Sequence, residues 1–556
     1  MYKDTQALSL GTGNETVPPE LLFLSMEGLE SRLTELKASI EKDKRIQHAI
    51  FEIEACKEFV EVEFSGLIKK RNVLLAENKI TFETLWSILP PKTLLFSKDE
   101  FDQPRVFRLE SHEIERKSDG SYVMVLDALY TESDGKQIGV ASAELAIPQF
   151  EGAVYIASLP AYPVIFHPDR SCLKKILVRR GKKQLKFHAR GHQLREHQGF
   201  ALMENESSGK FMKFRTHGRI IVDAATLEEL KPSNRMIPTL EPAFPKPSAR
   251  YHFPDPFTNT LEPICQSTDG EEGDAPPEGN AFYLAENMPD IAIIMLSGRL
   301  YGYSLGDSEW ATFAVSRVSK VIWDRNIIKS LEMVPEAKTL LYNLIKAHSR
   351  SDSGFDDIVK DKGKGLVGLL IGPPGVGKTL TAEAVAETAQ LPLFVLSCGG
   401  LGSNSVEINK NLRHFLELAS RWKAVLLLDE ADVYLARRND NDLERNAIIS
   451  VFLREIEYYT GILILTTNRA KKIDSAFQSR IHFCHRYRHH NPDSRKRIWE
   501  SFVSRSQLND KISVQINDEG LDELAKLNFN GREVKSCCSR CTVRSSRDLA
   551  NSLSEI

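Results

Sequence analysis

The sequence predicts an α/β fold with a parallel sheet at its core, a helical lid after it and an α+β or mostly-β module before it. Two observations support the prediction of a parallel-sheet core. A glycine-rich loop at 372–379 separates an apolar run at 366–371 from a helix-forming run at 381–387. Two further apolar runs, 424–428 and 462–465, end in polar residues. Short continuous apolar runs are typical of parallel strands that are buried on both faces.

The chain of 556 residues is too long for one hydrophobic core, so we expect several domains. In order, we predict a disordered start at 1–20, a helical segment at 21–79, an α+β N-terminal module at 80–227, a Pro-rich and acidic linker at 228–285, a segment at 286–329 that leads into the core, the α/β core at 330–488 and a helical lid at 489–556.

Composition excludes several classes of protein. A net charge of −3 gives the whole molecule no broad attraction to nucleic acid or anionic membrane. No apolar run is long enough to span a bilayer, and the longest, 291–296, has the length of a strand. The eight cysteines lack a framework spacing, which favours reduced thiols. We therefore expect an intracellular protein, cytoplasmic or alternatively nuclear.

The region before the core shows helical and then strand-like patterns. Apolar residues between Met26 and Ile40 recur three and four positions apart. This spacing predicts an amphipathic helix packed on its own domain, with a short coiled coil as the alternative. Four strands are predicted after it, at 122–130, 138–147, 152–156 and 219–223.

A basic stretch occupies 174–195 and contains no acidic residue. It could bind the phosphates of a nucleic acid or an acidic partner. A solvated helix followed by a basic turn explains it as well, and Phe187 is its one aromatic residue available for base stacking.

The glycine-rich loop matches the phosphate-binding pattern G-x-x-x-x-G-K-[ST] at every fixed position, which predicts a P-loop NTPase core. Glycines allow backbone N–H groups to turn toward phosphate oxygens, and the next helix presents the positive end of its dipole. Lys378 can reach the β- and γ-phosphates of ATP, and the Thr379 hydroxyl can bind Mg²⁺. The predicted nucleotide-binding residues here are Gly372, Pro373, Pro374, Gly375, Val376, Gly377, Lys378, Thr379 and Leu380.

Two later strands supply candidates for hydrolysis. The run at 424–428 ends in Asp429 and Glu430, at the edge where open α/β sheets bind ligands. We predict that Asp429 holds Mg²⁺ and that Glu430 is the general base for the attacking water. Asn468, after the run at 462–465, could orient that water or contact the γ-phosphate; an isolated Asn there is otherwise a turn former.

The order of these motifs, followed by Ser479 and Arg480, resembles the AAA ATPases, and specifically fungal members with a long uncharacterised N-terminal region. The resemblance spans about 355–540. It implies ATP hydrolysis with Mg²⁺, a homo-oligomeric ring of six subunits and an unidentified protein client.

The resemblance also implies roles for further residues. Asn468 stands at the first sensor, and Arg480 at the finger offered to a neighbouring subunit, although Arg486 and Arg488 lie close to it in the sequence. Arg532 stands at the second sensor, at the start of a lid helix. Residues 355–358, including Asp357 and Ile358, resemble the segment beside the adenine.

One feature departs from the family pattern. Most AAA translocases carry an aromatic–hydrophobic–glycine loop after the second strand, whereas this chain has no aromatic residue between Phe394 and Phe415, and Leu401 is the best remaining contact for a polypeptide. Two functions therefore remain open. One is a remodeller of protein substrates, and the other is a slow, nucleotide-controlled binding or scaffold module with an acidic or nucleic-acid partner.

Overall fold

The computed structural model describes thirteen stretches of the chain, which divides into two compact units, Met1–Ser319 and Lys320–Ile556. None of the described helices combines the length and apolar character needed to cross a membrane. The described residues are 19–38, 44–188, 190–205, 210–232, 236–242, 256–257, 282–324, 326–350, 365–402, 404–437, 443–469, 473–507 and 518–540.

Helices open the first unit, in keeping with the apolar spacing noted above. The predicted helix around Met26 forms and packs against the next long helix, whereas Ile40 lies outside the described residues. The four helices are α1 (Pro19–Leu24), α2 (Met26–Ala38), α3 (Lys44–Glu63) and α4 (Ser65–Ala76).

Seven strands follow, and five of them form an antiparallel sheet in the order β5-β4-β3-β2-β7, while β1 pairs with β6. The predicted strands at 122–130 and 138–147 form a hairpin, and Asp134 stabilises its turn by accepting hydrogen bonds from the backbone N–H of Lys136 at 2.7 Å and of Gln137 at 2.6 Å. The strands are β1 (Lys79–Ile80), β2 (Leu94–Lys98), β3 (Pro104–Arg116), β4 (Tyr122–Ser133), β5 (Ile138–Pro148), β6 (Val154–Tyr155) and β7 (Ala161–Pro163).

A second antiparallel sheet, in the order β11-β10-β9-β8-β12, completes the first unit, so the mostly-β prediction is confirmed. Its elements are α5 (Arg170–Leu185), β8 (Gln193–Glu204), β9 (Phe211–Val222), α6 (Ala224–Leu230), α7 (Asp290–Ile294), β10 (Arg299–Ser304), β11 (Glu309–Ala314) and β12 (Val318–Ser319).

This sheet corrects one expectation. Residues 286–329 do not simply lead into the core, because β10 pairs with β9 and β12 pairs with β8 inside the first unit. The apolar run 291–296 has the length of a strand, but most of it belongs to the short helix α7, which begins after Pro289, whose fixed φ suits a helix start.

The basic stretch is partly structural. Arg180 of α5 is only 6% exposed and donates to the backbone carbonyls of Pro104 and Leu296. Lys183 donates to the carbonyls of Val315 at 2.7 Å and Val318 at 2.6 Å. These two cations face inward, so they are unavailable for binding nucleic-acid phosphates.

The second unit contains a five-stranded sheet in the order β14-β15-β16-β13-β17, with every neighbouring pair parallel. The sheet therefore matches the predicted α/β core. Its elements, with the helices around and after it, are α8 (Pro335–Arg350), β13 (Leu366–Ile371), α9 (Lys378–Ala389), β14 (Leu393–Ser397), α10 (Ser405–Arg421), β15 (Val425–Asp429), α11 (Asp432–Leu435), α12 (Leu443–Tyr458), β16 (Ile462–Thr467), β17 (Phe483–Arg486), α13 (Pro492–Gln507), α14 (Asp518–Lys526) and α15 (Gly531–Arg540).

The strand order positions the site. β16 lies between β13 and β15 in space, although it follows both in the sequence. The register pairs Ile371 with Thr467 and Leu428 with Leu465, so the carboxyl ends of all three strands meet at one edge. The glycine-rich loop, Asp429 and Asn468 each follow or end one of these strands, and this edge is where α/β sheets bind ligands.

Candidate nucleotide-binding site

The loop from Gly372 to Gly377 joins β13 to α9 in a conformation that glycine favours. Gly375 has φ 76° and Gly377 has φ 100°, both in the left-handed region. A Cβ atom added at Gly375 would lie 2.5 Å from Oδ1 of Asn530. The loop therefore requires glycine at position 375 for both its backbone conformation and its close contact with the lid.

Lys378 lies at the centre of the site. It is 9% exposed, and its Nζ donates hydrogen bonds of 2.8 Å to the carbonyls of Gly372 and Pro373 and to Oδ1 of Asn468. Burial lowers the pKa of Lys378, while the nearby Asp429 carboxylate opposes that shift. The structure thus brings Lys378 and Asn468 together, as the sequence predicts.

Thr379 and Asp429 form a hydroxyl–carboxylate pair. The Thr379 hydroxyl donates to Oδ2 of Asp429 at 3.3 Å, and the Thr466 hydroxyl donates to Oδ1 of the same carboxylate. Magnesium prefers oxygen ligands of this kind and retains several waters in its coordination shell. Thr379 and Asp429 are therefore suited to hold Mg²⁺ directly or through water.

Glu430 has an exposed side chain and an unusual backbone. Its φ of 56° is left-handed, although it is not a glycine. Its N–H donates to the Thr466 hydroxyl at 2.9 Å, and its carbonyl accepts from the N–H of Asp432 at 2.7 Å. Left-handed non-glycine residues are costly, persist where their surroundings hold them and cluster at functional sites.

Two supporting residues, Thr466 and Asp432, were not predicted. The Thr466 hydroxyl forms hydrogen bonds with the Asp429 carboxylate and with the backbone N–H of Glu430. The Asp432 carboxylate accepts hydrogen bonds from the Thr467 hydroxyl and, at 3.2 Å, from the N–H of Asn468. A usable signal was present in the sequence: strand β16 ends in two threonines beside the predicted sensor, and hydroxyls at such a point can orient carboxylates.

The lid reaches the phosphate loop through the start of α15. The N–H of Gly531 donates to the carbonyl of Gly375 at 2.9 Å. Asn530 caps the helix by accepting from the N–H groups of Arg532 at 3.0 Å and Glu533 at 3.1 Å. Burial is the largest cause that lowers the pKa of Lys378, and the Asp429 carboxylate opposes it. The positive charge of Arg532 lowers this pKa further, so the two cations lie within electrostatic range of each other.

The sequence around this site matches the model of a known protein family. Residues 368–487 match the model for the ATPase family associated with various cellular activities (AAA). Those residues are an AAA domain. Residues 70–168 match a domain of unknown function, DUF7025.

Individual relatives match about a third of the chain. Fidgetin-like protein 1 of Caenorhabditis briggsae is 28% identical over 34% of this chain and 33% of its own length. The ATPase family AAA domain-containing protein FIGL1 of Arabidopsis thaliana is 30% identical over 33% of this chain and 28% of its own length. The match thus spans about a third or less of these relatives.

Among solved structures, the AAA domain of FIGL-1 in complex with ADP matches at 22% identity with a TM-score of 0.31. The match covers 42% of this chain and 85% of the solved chain.

Arg480 of the AAA domain does not contact the phosphate loop. It follows the short helical turn Ser475–Phe477 and forms an ion pair of 2.7 Å with Glu457 of α12. Its other guanidinium nitrogen donates to the carbonyl of Ala476 at 2.9 Å. The geometry therefore separates Arg480 from the residues around Lys378, and Arg486 and Arg488 are exposed.

Two other predictions concern a contact for a polypeptide and a segment beside the adenine. Leu401, the suggested contact for a polypeptide, is fully buried, and its carbonyl accepts from the Asn411 side chain of α10 at 3.2 Å. That suggestion is wrong, because a buried leucine presents no surface to a client. Asp357 and Ile358, predicted near the adenine, lie outside the described residues.

Proposed function

We propose that the AAA domain binds ATP with Mg²⁺ and hydrolyses it to ADP and phosphate. The observation that carries the proposal is the convergence of Lys378, Asp429 and Asn468 at one edge of the sheet, with Lys378 Nζ 2.8 Å from the Asn468 amide oxygen. The family of the domain supports the same reaction.

The residues fit a triphosphate. Lys378 donates two hydrogen bonds to loop carbonyls, and phosphate oxygens are stronger acceptors that compete for the same donors. The left-handed glycines 375 and 377 leave room for backbone N–H groups to face an anion. Thr379 and Asp429 would hold Mg²⁺, which neutralises charge on the phosphate oxygens when it is bound.

Hydrolysis then depends on four side chains of the second unit. Glu430 accepts a proton from the attacking water, since an exposed carboxylate directly after β15 lies beside the metal-binding Asp429. Asn468 orients that water or the γ-phosphate from the end of β16. Lys378 and Arg532 stabilise the charge that spreads over the phosphate oxygens.

The sharpest test of this assignment is the Glu430→Gln variant. The binding groups remain in this variant while water activation is lost, so ATP affinity stays within about threefold of wild type and turnover falls by about 10²-fold or more. Nucleotide binding and phosphate release are measured on the same preparation. An unchanged rate of phosphate release would remove Glu430 from the reaction.

We further propose that the domain assembles into a ring, hexameric as in the resembling family, in which Arg480 reaches the nucleotide of a neighbouring subunit. The separation of Arg480 from its own phosphate loop supports action in trans. The ion pair with Glu457 has to open, or to swing with α12, before Arg480 contacts a phosphate.

Two outputs of hydrolysis are distinguishable. The first is remodelling of a protein or protein complex, with the N-terminal unit selecting the client. The second is a slow, nucleotide-controlled scaffold, which the burial of Leu401 favours because that side chain presents no surface to a polypeptide. A remodeller hydrolyses ATP faster when its client is added. A scaffold keeps the same slow rate and changes its partner affinity between ATP and ADP.

A further inference from the structure

Helix α3 of the N-terminal unit is apolar on two opposite faces. One face carries Ile46, Ile50, Ile53 and Val60, which are partly or fully buried, and α3 packs against α1, α2 and α4. Two ion pairs connect α3 to α2 beside this face, Lys57–Glu30 at 2.7 Å and Lys37–Glu54 at 2.6 Å. Contacts with neighbouring helices therefore account for this side of α3.

The opposite face carries Phe51, Ala55, Phe59 and Val62, which we call the α3 stripe. Their spacing of four, four and three residues places them on one side of a helix. All four are exposed: Phe51 is 69% exposed, Phe59 46% and Val62 71%. Exposed apolar residues that line up over three helical turns are typical of an interaction surface, whereas scattered ones are not.

The edges of the α3 stripe are acidic. Glu52 and Glu63 lie along one edge and Glu58 lies along the other. From residue 47 to residue 63 the only Lys or Arg is Lys57, which lies on the α2 side and pairs with Glu30. A molecule bound to the α3 stripe therefore has negatively charged side chains on both sides of its apolar contact.

We infer that the α3 stripe binds a basic amphipathic helix of a partner protein. Such a helix places its own apolar residues on Phe51, Phe59 and Val62 and its Lys or Arg side chains against the acidic edges. A second copy of α3 fits poorly, because an antiparallel pairing on the stripe sets the edge that carries Glu52 and Glu63 against the same acidic edge of the other copy, and like charges repel.

Two labelled synthetic peptides test this inference on the full chain. Both carry the same leucine stripe over three helical turns, and lysines flank it in the first peptide while glutamates flank it in the second. In fluorescence anisotropy, we expect the lysine peptide to bind about tenfold more tightly or better, and its affinity to fall as salt rises. Equal affinity for the two peptides would overturn the inference.

Variants locate the binding surface. Phe51→Ser combined with Phe59→Ser weakens binding of the lysine peptide by about tenfold or more, since these rings are the largest anchors. Glu52→Lys, Glu58→Lys and Glu63→Lys together reverse the preference between the peptides. The matched control is Ile322→Ser, which removes an 82% exposed side chain of the other unit and leaves binding unchanged.

Analytical ultracentrifugation tests whether a second copy of the chain, rather than a partner helix, covers the α3 stripe. If the wild type self-associates and the Phe51→Ser, Phe59→Ser variant does not, a second copy covers the stripe and the inference fails. Circular dichroism of the variants checks that α3 remains folded. A folded double variant that binds the lysine peptide as wild type does also rejects the proposed surface.

Discussion

At the scale of single residues, the hydroxyl of Thr466 connects the two acidic residues of the site. It donates to the Asp429 carboxylate and accepts from the N–H of Glu430. Because Thr466 is fully buried, valine replaces it with nearly the same shape and without the hydroxyl. We therefore regard Thr466 as a positioning residue for the general base.

Thr466→Val should lower turnover by about ten- to a hundredfold, because both hydrogen bonds that fix Asp429 and Glu430 are lost. ATP affinity should change less, since Lys378 and the phosphate loop are untouched. Thr466→Ser keeps the hydroxyl and should restore most of the rate. Equal defects in the two variants would assign Thr466 a packing role instead.

Lys378 has a different role, because its contacts are with the loop itself and with the proposed sensor Asn468. Lys378→Ala should abolish detectable ATP binding, as the principal cation at the phosphates is removed. The control is Lys410→Ala, which removes an exposed lysine from α10. Equilibrium binding of a fluorescent ATP analogue measures both variants, and retention of wild-type affinity by Lys378→Ala would contradict the site.

At the scale of elements, the phosphate loop and the lid meet at a single glycine. A side chain at Gly375 would meet Asn530, which caps α15 and orients Arg532. The backbone of Gly375 also bonds Gly531 directly. The conformation of the loop and the position of Arg532, the proposed second sensor, are therefore coupled.

Gly375→Ala should destabilise the second unit by about 1–2 kcal/mol from its left-handed φ alone and should weaken ATP binding as Asn530 is displaced. Gly399→Ala is the matched control, because nothing lies within 4 Å of a Cβ there and its φ is not positive. Thermal unfolding with and without ATP measures both effects. Identical behaviour of the two variants would refute the coupling.

Some helices and strands of this chain could be predicted from its sequence, and others could not. The strands of the α/β core were recognisable because burial on both faces makes them continuously apolar, and the site residues Gly372 to Thr379 have a fixed spacing. The assignment of residues 286–329 was wrong because β10 pairs with β9 across a long stretch of chain. The run 291–296 has the length of a strand, and periodicity alone could not show that it contains the short buried helix α7.

The same limit applies to the supporting residues of the site. Asp429 and Glu430 are recognisable from a strand that ends in two acids. Asp432 and Thr466 act through hydrogen bonds between neighbouring strand ends, which exist only once β15 and β16 lie side by side. The burial of Leu401 likewise depends on α10 packing over the turn after β14.

At the scale of the whole molecule, the position of Arg480 predicts cooperation between subunits. Arg480→Ala should bind ATP normally and hydrolyse it about 10³-fold more slowly, since a cation at the γ-phosphate has effects of this size in other NTPases. Mixing Arg480→Ala with Glu430→Gln should restore part of the activity, because some interfaces then combine an intact base with an intact arginine.

The mixing experiment separates action in trans from action within one subunit. Each variant alone provides the inactive control, and wild type diluted with Glu430→Gln provides the reference for subunit exchange. If the mixture stays as inactive as its components while exchange is demonstrated, Arg480 does not serve a neighbouring nucleotide. A wild-type rate for Arg480→Ala alone would direct attention to Arg486 or Arg488.

ATP hydrolysis by this chain is tested most directly by measuring phosphate release from labelled ATP. The purified full chain is used over a series of protein concentrations with Mg²⁺ present. We predict steady release whose rate per subunit rises with concentration as subunits assemble, and that Glu430→Gln retains labelled ATP without releasing phosphate. Wild-type protein that neither retains the label nor releases phosphate at the highest concentration would contradict the account.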